Sequence, residues 1–349
     1  MLFRALLLSI VTALAPAAAQ ADALMRAGMA GMAGSERLRQ FTLGQAMLEQ
    51  PQAQGLARAM QASLRQNGFY HTSSGPAVLS RSWQVDPVLA WDANINGGFL
   101  NDRFDIFGLT FDVDPARRAL PGIVGGARLG GQMRLAYGEG RFLDLRGSLE
   151  GAWSPEHDIG RAQAGFEACA RNHLSGWNFA DLCFTAAHSR RSLSTSTTGT
   201  VTLGFARLHA APQSEHELSA GVTRSFLGGA SQDSLSLGWN AVWNRAVTEL
   251  DLTLAAPIPG DTAMRQRISA AVGWQWQGRA MRLGLWHQRS DGGMMLGMAR
   301  ADRVSGISLS VQAHRNVTVE VVHQVTQSSI NLFDENRTGL NLRLDLRRR

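Results

Sequence analysis

The chain of 349 residues contains no lysine, so all 34 of its basic residues are arginine. Carboxylates are scattered among them, the net charge is +6, and the one Arg-rich block is Arg347-Arg348-Arg349. A nucleic-acid-binding surface is therefore unsupported. Long apolar runs are also missing. Beyond the first residues no apolar stretch reaches the length of about 18 that marks a spanning helix, which excludes a helical membrane protein. The mean hydropathy of −0.11 agrees. A membrane β-barrel is not excluded, because alternating strands hide their lipid face from such averages. Catalytic signatures are absent as well: there is no G-x-S-x-G, no H-E-x-x-H and no P-loop. His216-Glu217 lacks a second His, and His287 and His323 sit inside strand patterns. Neither an enzymatic activity nor a cofactor is expected.

What is present begins with a short positive region, Met1-Leu-Phe-Arg4. An apolar core from Ala5 to Ala15 and an A-x-A site, Ala17 to Ala19, come next. Residues 1–19 thus read as a secretory signal peptide. Residues 20–76 read as a short helical periplasmic segment and linker. Ser35-Glu36-Arg37-Leu38 resembles a helix start, and two short helices break near Pro51. The piece is too small to bury a core alone. It packs on the rest of the chain, plugs it or serves as a docking arm.

From Ser82 the apolar period becomes two. Leu143, Leu145 and Leu149 alternate with Asp144, Arg146 and Ser148, and Leu235, Leu237 and Trp239 alternate with Ser234, Ser236 and Asn240. About fourteen such segments of about ten or more residues fill 82–349. Tight connections at 138–140, 244–245, 278–279 and 314–315 alternate with longer ones at 97–121, 228–232, 257–263, 290–302 and 328–336. The pattern predicts an all-β, outer-membrane antiparallel barrel of a Gram-negative cell. Outer-membrane lipid and the barrel assembly machinery are its expected partners.

Several residues carry more specific expectations. Arg128, Arg134, Asp144, Arg146, Glu150, Glu249, Asp251, Arg282, Arg343 and Asp345 fall on the polar parity and are expected to line the lumen. Their mixed signs suggest salt-bridged walls, not a strongly ion-selective pore. In the first long loop Phe104, Ile106, Phe107, Leu109 and Phe111 are too apolar to leave in water. They are expected to fold into the barrel mouth as a plug or be covered by a client. Cys169 and Cys183, the two cysteines, are equidistant from Gly176 at the middle of a candidate hairpin. Matched parity and an oxidising compartment favour a disulfide over a metal site, for which only His173 and His188 lie nearby.

Two stretches carry a family resemblance. Ala90-Trp-Asp-Ala-Asn-Ile-Asn96 resembles the N-x-N opening strand of the barrel domain of surface lipoprotein assembly modifiers. Ser328-Ser-Ile-Asn-Leu-Phe-Asp-Glu-Asn-Arg337 resembles the loop before that domain's last strand, with Ser329 where the family pattern has Asn. The resemblance spans roughly Ser82 to Arg349. It implies a non-enzymatic barrel that helps a client lipoprotein or secreted protein reach the cell surface. The alternative from the pattern alone is a passive porin-like channel for small solutes; a lipid hydrolase on the barrel rim is a third reading.

Overall fold

A computed structural model of the chain describes residues 23–66, 76–295, 297–314 and 317–344. The expected signal peptide, most of the expected linker before β1, Asp345 and the terminal arginines lie outside these. Among the described residues three helices come first: α1 (Ala23–Ala30), α2 (Glu36–Glu49) and α3 (Gln54–Gln66). Ser35 caps α2, its hydroxyl accepting the Leu38 N–H at 3.2 Å. The chain breaks around Pro51, as the sequence predicts. The first helix has no periodic signature in the sequence; contact with the barrel holds it.

The strands are β1 (Ala77–Asp92), β2 (Arg103–Ile106), β3 (Leu109–Asp112), β4 (Gly122–Gly138) and β5 (Arg141–Ser154). Next come β6 (Ile159–Ser175), β7 (Asn178–Arg190), β8 (Thr195–Ala211), β9 (Ser214–Leu227), β10 (Ala230–Trp243) and β11 (Ala246–Ala255). The last are β12 (Ala263–Trp276), β13 (Arg279–Met295), β14 (Met298–His314), β15 (Val317–Ser328) and β16 (Glu335–Leu344). Strands β2 and β3 form a hairpin of their own; the other fourteen close into one antiparallel ring, β16 returning to β1. Closure pairs the strands around the ring, so backbone groups find partners without water along every junction but the short one between β1 and β16.

The two faces of the ring separate the residue types. Across β4 and β5, Arg134 stands opposite Asp144, Gln132 opposite Arg146 and Arg128 opposite Glu150 on the inner face. Leu149, Leu182, Leu203, Leu218, Val222, Leu237 and Leu309 stand exposed on the outer face. An apolar surface this continuous is stable in a bilayer and not in water.

One rim carries only two-residue connections, at 139–140, 176–177, 212–213, 244–245 and 277–278 among the described residues. We call it the inner rim. The opposite, outer rim carries the longer loops, including 93–121, 256–262 and 329–334. Two loops expected to be long are not. Gly228-Gly229, with φ of +58° and +102°, turns β9 directly into β10. Residues 290–302 continue the β13–β14 ladder down to Met295 opposite Met298. Glycines in both stretches read as loop by composition, whereas here they make a tight turn and a strand bulge. If the outer rim faces the medium, an epitope placed between Gly228 and Gly229 is stained on intact cells and one between Gln277 and Gly278 is not. The reverse staining would overturn the orientation.

Cys169 and Cys183 face each other across β6 and β7 and are disulfide-bonded, 14 residues apart in sequence. In the chain-entropy model a loop of this size contributes about 3 kcal/mol. The double variant C169S/C183S should therefore unfold at a lower urea concentration than the oxidised protein, with the same heat-shifted band on gels. An unchanged midpoint would show that the bond contributes nothing.

Candidate functional site: the barrel lumen and its two rims

The lumen wall near the inner rim changes character. Higher up it is charged and hydroxylated; at the rim Phe179, Ala206, Leu208, Val242 and Val247 point inward and are buried. The helical segment covers them. Met29, Leu38 and Phe41 pack into one cluster with these five, and the Phe41 ring meets Trp177 of the β6–β7 turn edge-on at 4.9 Å. Each large side chain so buried contributes about 1.5–3 kcal/mol.

Ion pairs fix the same segment to the wall. Arg26 of α1 bonds Glu215 of β9 at 2.9 Å and Glu49 of α2 at 2.6 Å, with both Arg26 and Glu215 side chains 2 % exposed. Arg37 pairs with Asp181 of β7, and its guanidinium lies 4.5 Å over the Phe179 ring. The Ser35 hydroxyl donates to Glu217 of β9. Glu36 reaches Arg134 of β4 at 2.7 Å. On the far side Gly34 lies against Glu249 of β11, where a Cβ would come within 3.2 Å of the carboxylate. Strands β4 and β11 are seven apart in a ring of fourteen, hence diametrically opposed. Residues 34–36 therefore cross the lumen from wall to wall. The segment expected to pack on, plug or dock is seated as a plug at the inner rim.

Above it lies a cavity of about 500 Å³. Glu36, Asp181, Glu217, Glu249 and Asp251 line it against Arg37, Arg146 and Arg171, with Thr202, Ser219, Ser236 and Asn240 between them. The lumen-facing charges named from the sequence are placed as follows. Arg128 and Glu150 pair, and Glu150 also takes Arg161 at 3.2 Å. Asp144 is fully buried among Arg134, Arg146 and Arg171. Arg282 donates to Glu249 at 2.7 Å. Asp251 faces Ser269 of β12 across the ladder. Arg343 lies on β16 opposite Thr318. Arg26, Glu215 and Glu217 were not singled out by the sequence. Their one signal is weak: two carboxylates two apart at the start of a strand share its inner face.

At the outer rim the aromatic loop departs from expectation. Phe107, Leu109 and Phe111 are exposed, at 76, 63 and 43 %. They sit on the free β2–β3 hairpin, where Phe104 stacks on Phe111 at 5.4 Å and Ile106 stands opposite Leu109. Phe104 reaches into a small core, formed by Val113, Ile330 and Leu332 with Phe99 and Phe333. The hairpin thus forms no plug in the mouth. Its residues bond one another in register, and a short hairpin has two faces of which only one can be covered.

The residues flanking that hairpin do close over the rim. Asn96 donates to the Arg118 carbonyl at 2.7 Å, and its side-chain oxygen accepts the Leu120 N–H at 3.0 Å. Its own carbonyl accepts Leu193 N–H from the β7–β8 loop at 2.8 Å. A Cβ on Gly98 would stand 2.5 Å from the Arg118 carbonyl oxygen, so only glycine fits. Asn101 donates to the carbonyls of Asn331 and Asp334 at 2.7 and 2.6 Å. Asn331 in turn accepts the Asp105 N–H at 2.9 Å. The first outer loop therefore joins the β7–β8 loop to the β15–β16 loop.

No family model matches the chain, and no curated protein matches it. Among solved structures it is similar to OccAB4 of Acinetobacter baumannii, with a TM-score of 0.40, 7 % identity, 76 % of this chain covered and 97 % of that one. OccK2 (OpdF) of Pseudomonas aeruginosa, solved with glucuronate, gives 0.39, 10 % identity, and 76 and 98 % coverage. A loop-deleted OmpT, an outer membrane protein of Vibrio cholerae, gives 0.39, 10 %, and 76 and 98 %.

A serine–histidine pair sits on the outer face of β9. Ser214 Oγ lies 2.8 Å from His216 Nε2. Trp239 Nε1–H donates to His216 Nδ1 at 3.1 Å, which makes Nδ1 an acceptor and leaves the ring proton on Nε2. Nε2 then donates to the hydroxyl and cannot take its proton, the reverse of what an activated nucleophile needs. With His209 and Trp239 stacked on His216 and Trp243 edge-on to it, the group is an aromatic belt at the inner rim. Among the described residues no cluster of three or more His, Cys, Asp or Glu is arranged to hold a metal.

The Arg26–Glu215 pair gives a direct test of the plug. Removing one partner of a buried pair leaves the other uncompensated, at a cost of about 3–5 kcal/mol, whereas replacing both is far milder. Arg26→Leu should let trypsin cut at Arg37 or Arg39 while the barrel keeps its heat shift. The double variant R26L/E215L should regain much of the protection. Equal protection in all three proteins would show that the pair does not hold the segment.

Proposed function

We propose that the protein is an outer-membrane channel for small polar solutes, held closed by its own N-terminal helices until they leave the inner rim. The observation that carries this reading is the wall-to-wall crossing of residues 34–36 beneath a polar, ion-paired cavity. A barrel whose lumen served only to fill space would have no reason to line its upper wall with charge and its inner rim with apolar side chains matched to a helix pair. Signal peptide, outer-membrane location with the helices on the periplasmic side, and a non-catalytic role belong to the same proposal. The lining supports it: its five carboxylates are matched by Arg37, Arg146 and Arg171 together with Arg134 and Arg282, which pair with Glu36 and Glu249, so the wall is polar but balanced in charge and suits small polar solutes of either sign.

Deleting residues 23–66 should turn a silent protein into one that conducts in planar bilayers. Glu36 and Arg37 leave together, so the balance of charge persists and the open channel should show little preference between small cations and anions. E249Q/D251N, which removes two carboxylates from that balance, should shift it toward anions. A deletion protein that folds, by its heat shift, yet stays silent would sink the channel reading.

A second reading, assistance in the surface display of a partner protein, is favoured by one observation. The two stretches that resemble the assembly-modifier barrel lie far apart in sequence, yet Asn101, five residues beyond the first, donates to the carbonyls of Asn331 and Asp334 in the second. Surface biotinylation of cells with and without the protein separates the two. Loss of a surface protein favours display; an unchanged surface proteome favours the channel.

A further inference from the structure

Neighbouring strands of the ring are joined by register pairs running end to end, with one bulge at most. The seam between β1 and β16 is different. Over the described residues one pair joins them, Ala90 opposite Asn341. The same register would place Asp92 opposite Gly339 and Pro87 opposite Leu344, but the ladder does not extend to them.

The sequence of β1 agrees with an edge that is not built for continuous pairing. Pro87 lies within an unbroken ladder with β4, opposite Ala127. Proline has no N–H, so it fits there only with its nitrogen turned away from β4, toward β16. On the other strand Gly339 supplies no side chain, and a Cβ built there meets nothing within 4 Å.

What holds the seam is above it. The loop after β1 and the loop before β16 are clasped at the outer rim. Asn101 caps the carbonyls of Asn331 and Asp334, and Asp105 and Asn331 bond in both directions. Phe99 and Phe104 close over Ile330, Leu332 and Phe333 in a small core of their own.

We propose that the β1–β16 seam is a lateral gate, latched by this loop clasp, whose parted edges take up an extended polypeptide strand. The occupant is set by the chemistry of the edges. Parted strands expose rows of backbone N–H and C=O groups at bilayer depth, where lipid tails offer no partners. An extended chain adding itself as a strand satisfies them, and main-chain bonding makes that capture tolerant of sequence. This inference stands independently of the channel reading, since it concerns the wall and not the lumen.

Hydrogen exchange on the unmodified protein tests the gate. Backbone amides of Leu89, Trp91, Leu340 and Leu342, which face the seam, should exchange at least about tenfold faster than those of β9 and β10 at equal depth. Equal rates would overturn it. The occupant is tested with a biotinylated peptide of residues 335–344, incubated with the barrel in detergent micelles. Asn101→Ala, which unlatches the clasp, should raise its capture severalfold. The A90C/N341C disulfide should reduce capture to background, whereas a control disulfide at L237C/L252C, between β10 and β11, should not. The heat shift reports folding for each variant. Capture indifferent to the A90C/N341C bond, or absent from a folded N101A barrel, would overturn the strand-uptake half of the proposal.

Discussion

Every backbone polar group in the wall of this protein must find a partner inside the wall, because the apolar outer face leaves it no water. That requirement forces the fourteen strands to close, and closure makes the interior a separate compartment. It also makes the weakest junction in the ring important. Where β1 meets β16, the ladder is reduced to one pair and loops at the outer rim do the joining. Elsewhere strand pairing both satisfies the backbone and holds the wall together; here side-chain amides and a small aromatic core at the rim do the holding.

The inner rim solves a different problem. A lumen lined with polar groups is comfortable with water, and helices have no reason to enter it. Apolar side chains at its lowest turn, Phe179, Leu208, Val242 and Val247, reverse that preference locally. They bury the apolar faces of α1 and α2, which could not form a core alone. The ion pairs add position. Arg26 is held by Glu215 and Glu49, and Arg37 and Glu36 reach strands on different sides of the ring. Apolar burial supplies the stability and the charges set where the segment sits.

The outer rim shows how similar residues can be read two ways. Asn94 and Asn96 with Ser328 to Phe333 look like family signatures in the sequence. In the fold they are loop architecture: Asn96 and Asn101 cap loop carbonyls, and Ile330 and Leu332 fill the core between two loops. The aromatic residues expected to plug the mouth instead decorate a hairpin outside it, because the hairpin's own register fixes which side chains turn inward.

The sequence by itself determined the barrel: a period of two over long segments, short turns alternating with longer loops, and matched parity of Cys169 and Cys183 about Gly176. Those signals are local, since a strand's two faces and a turn's glycines are written in consecutive residues. The α2 start at Ser35 and the break at Pro51 were legible for the same reason. The plug, the cavity and the clasp were decided by tertiary structure alone. Arg26 and Glu215 are 189 residues apart, and Asn101 and Asn331 are 230. Nothing in either neighbourhood marks a partner that only the curvature and closure of the ring bring within hydrogen-bonding distance.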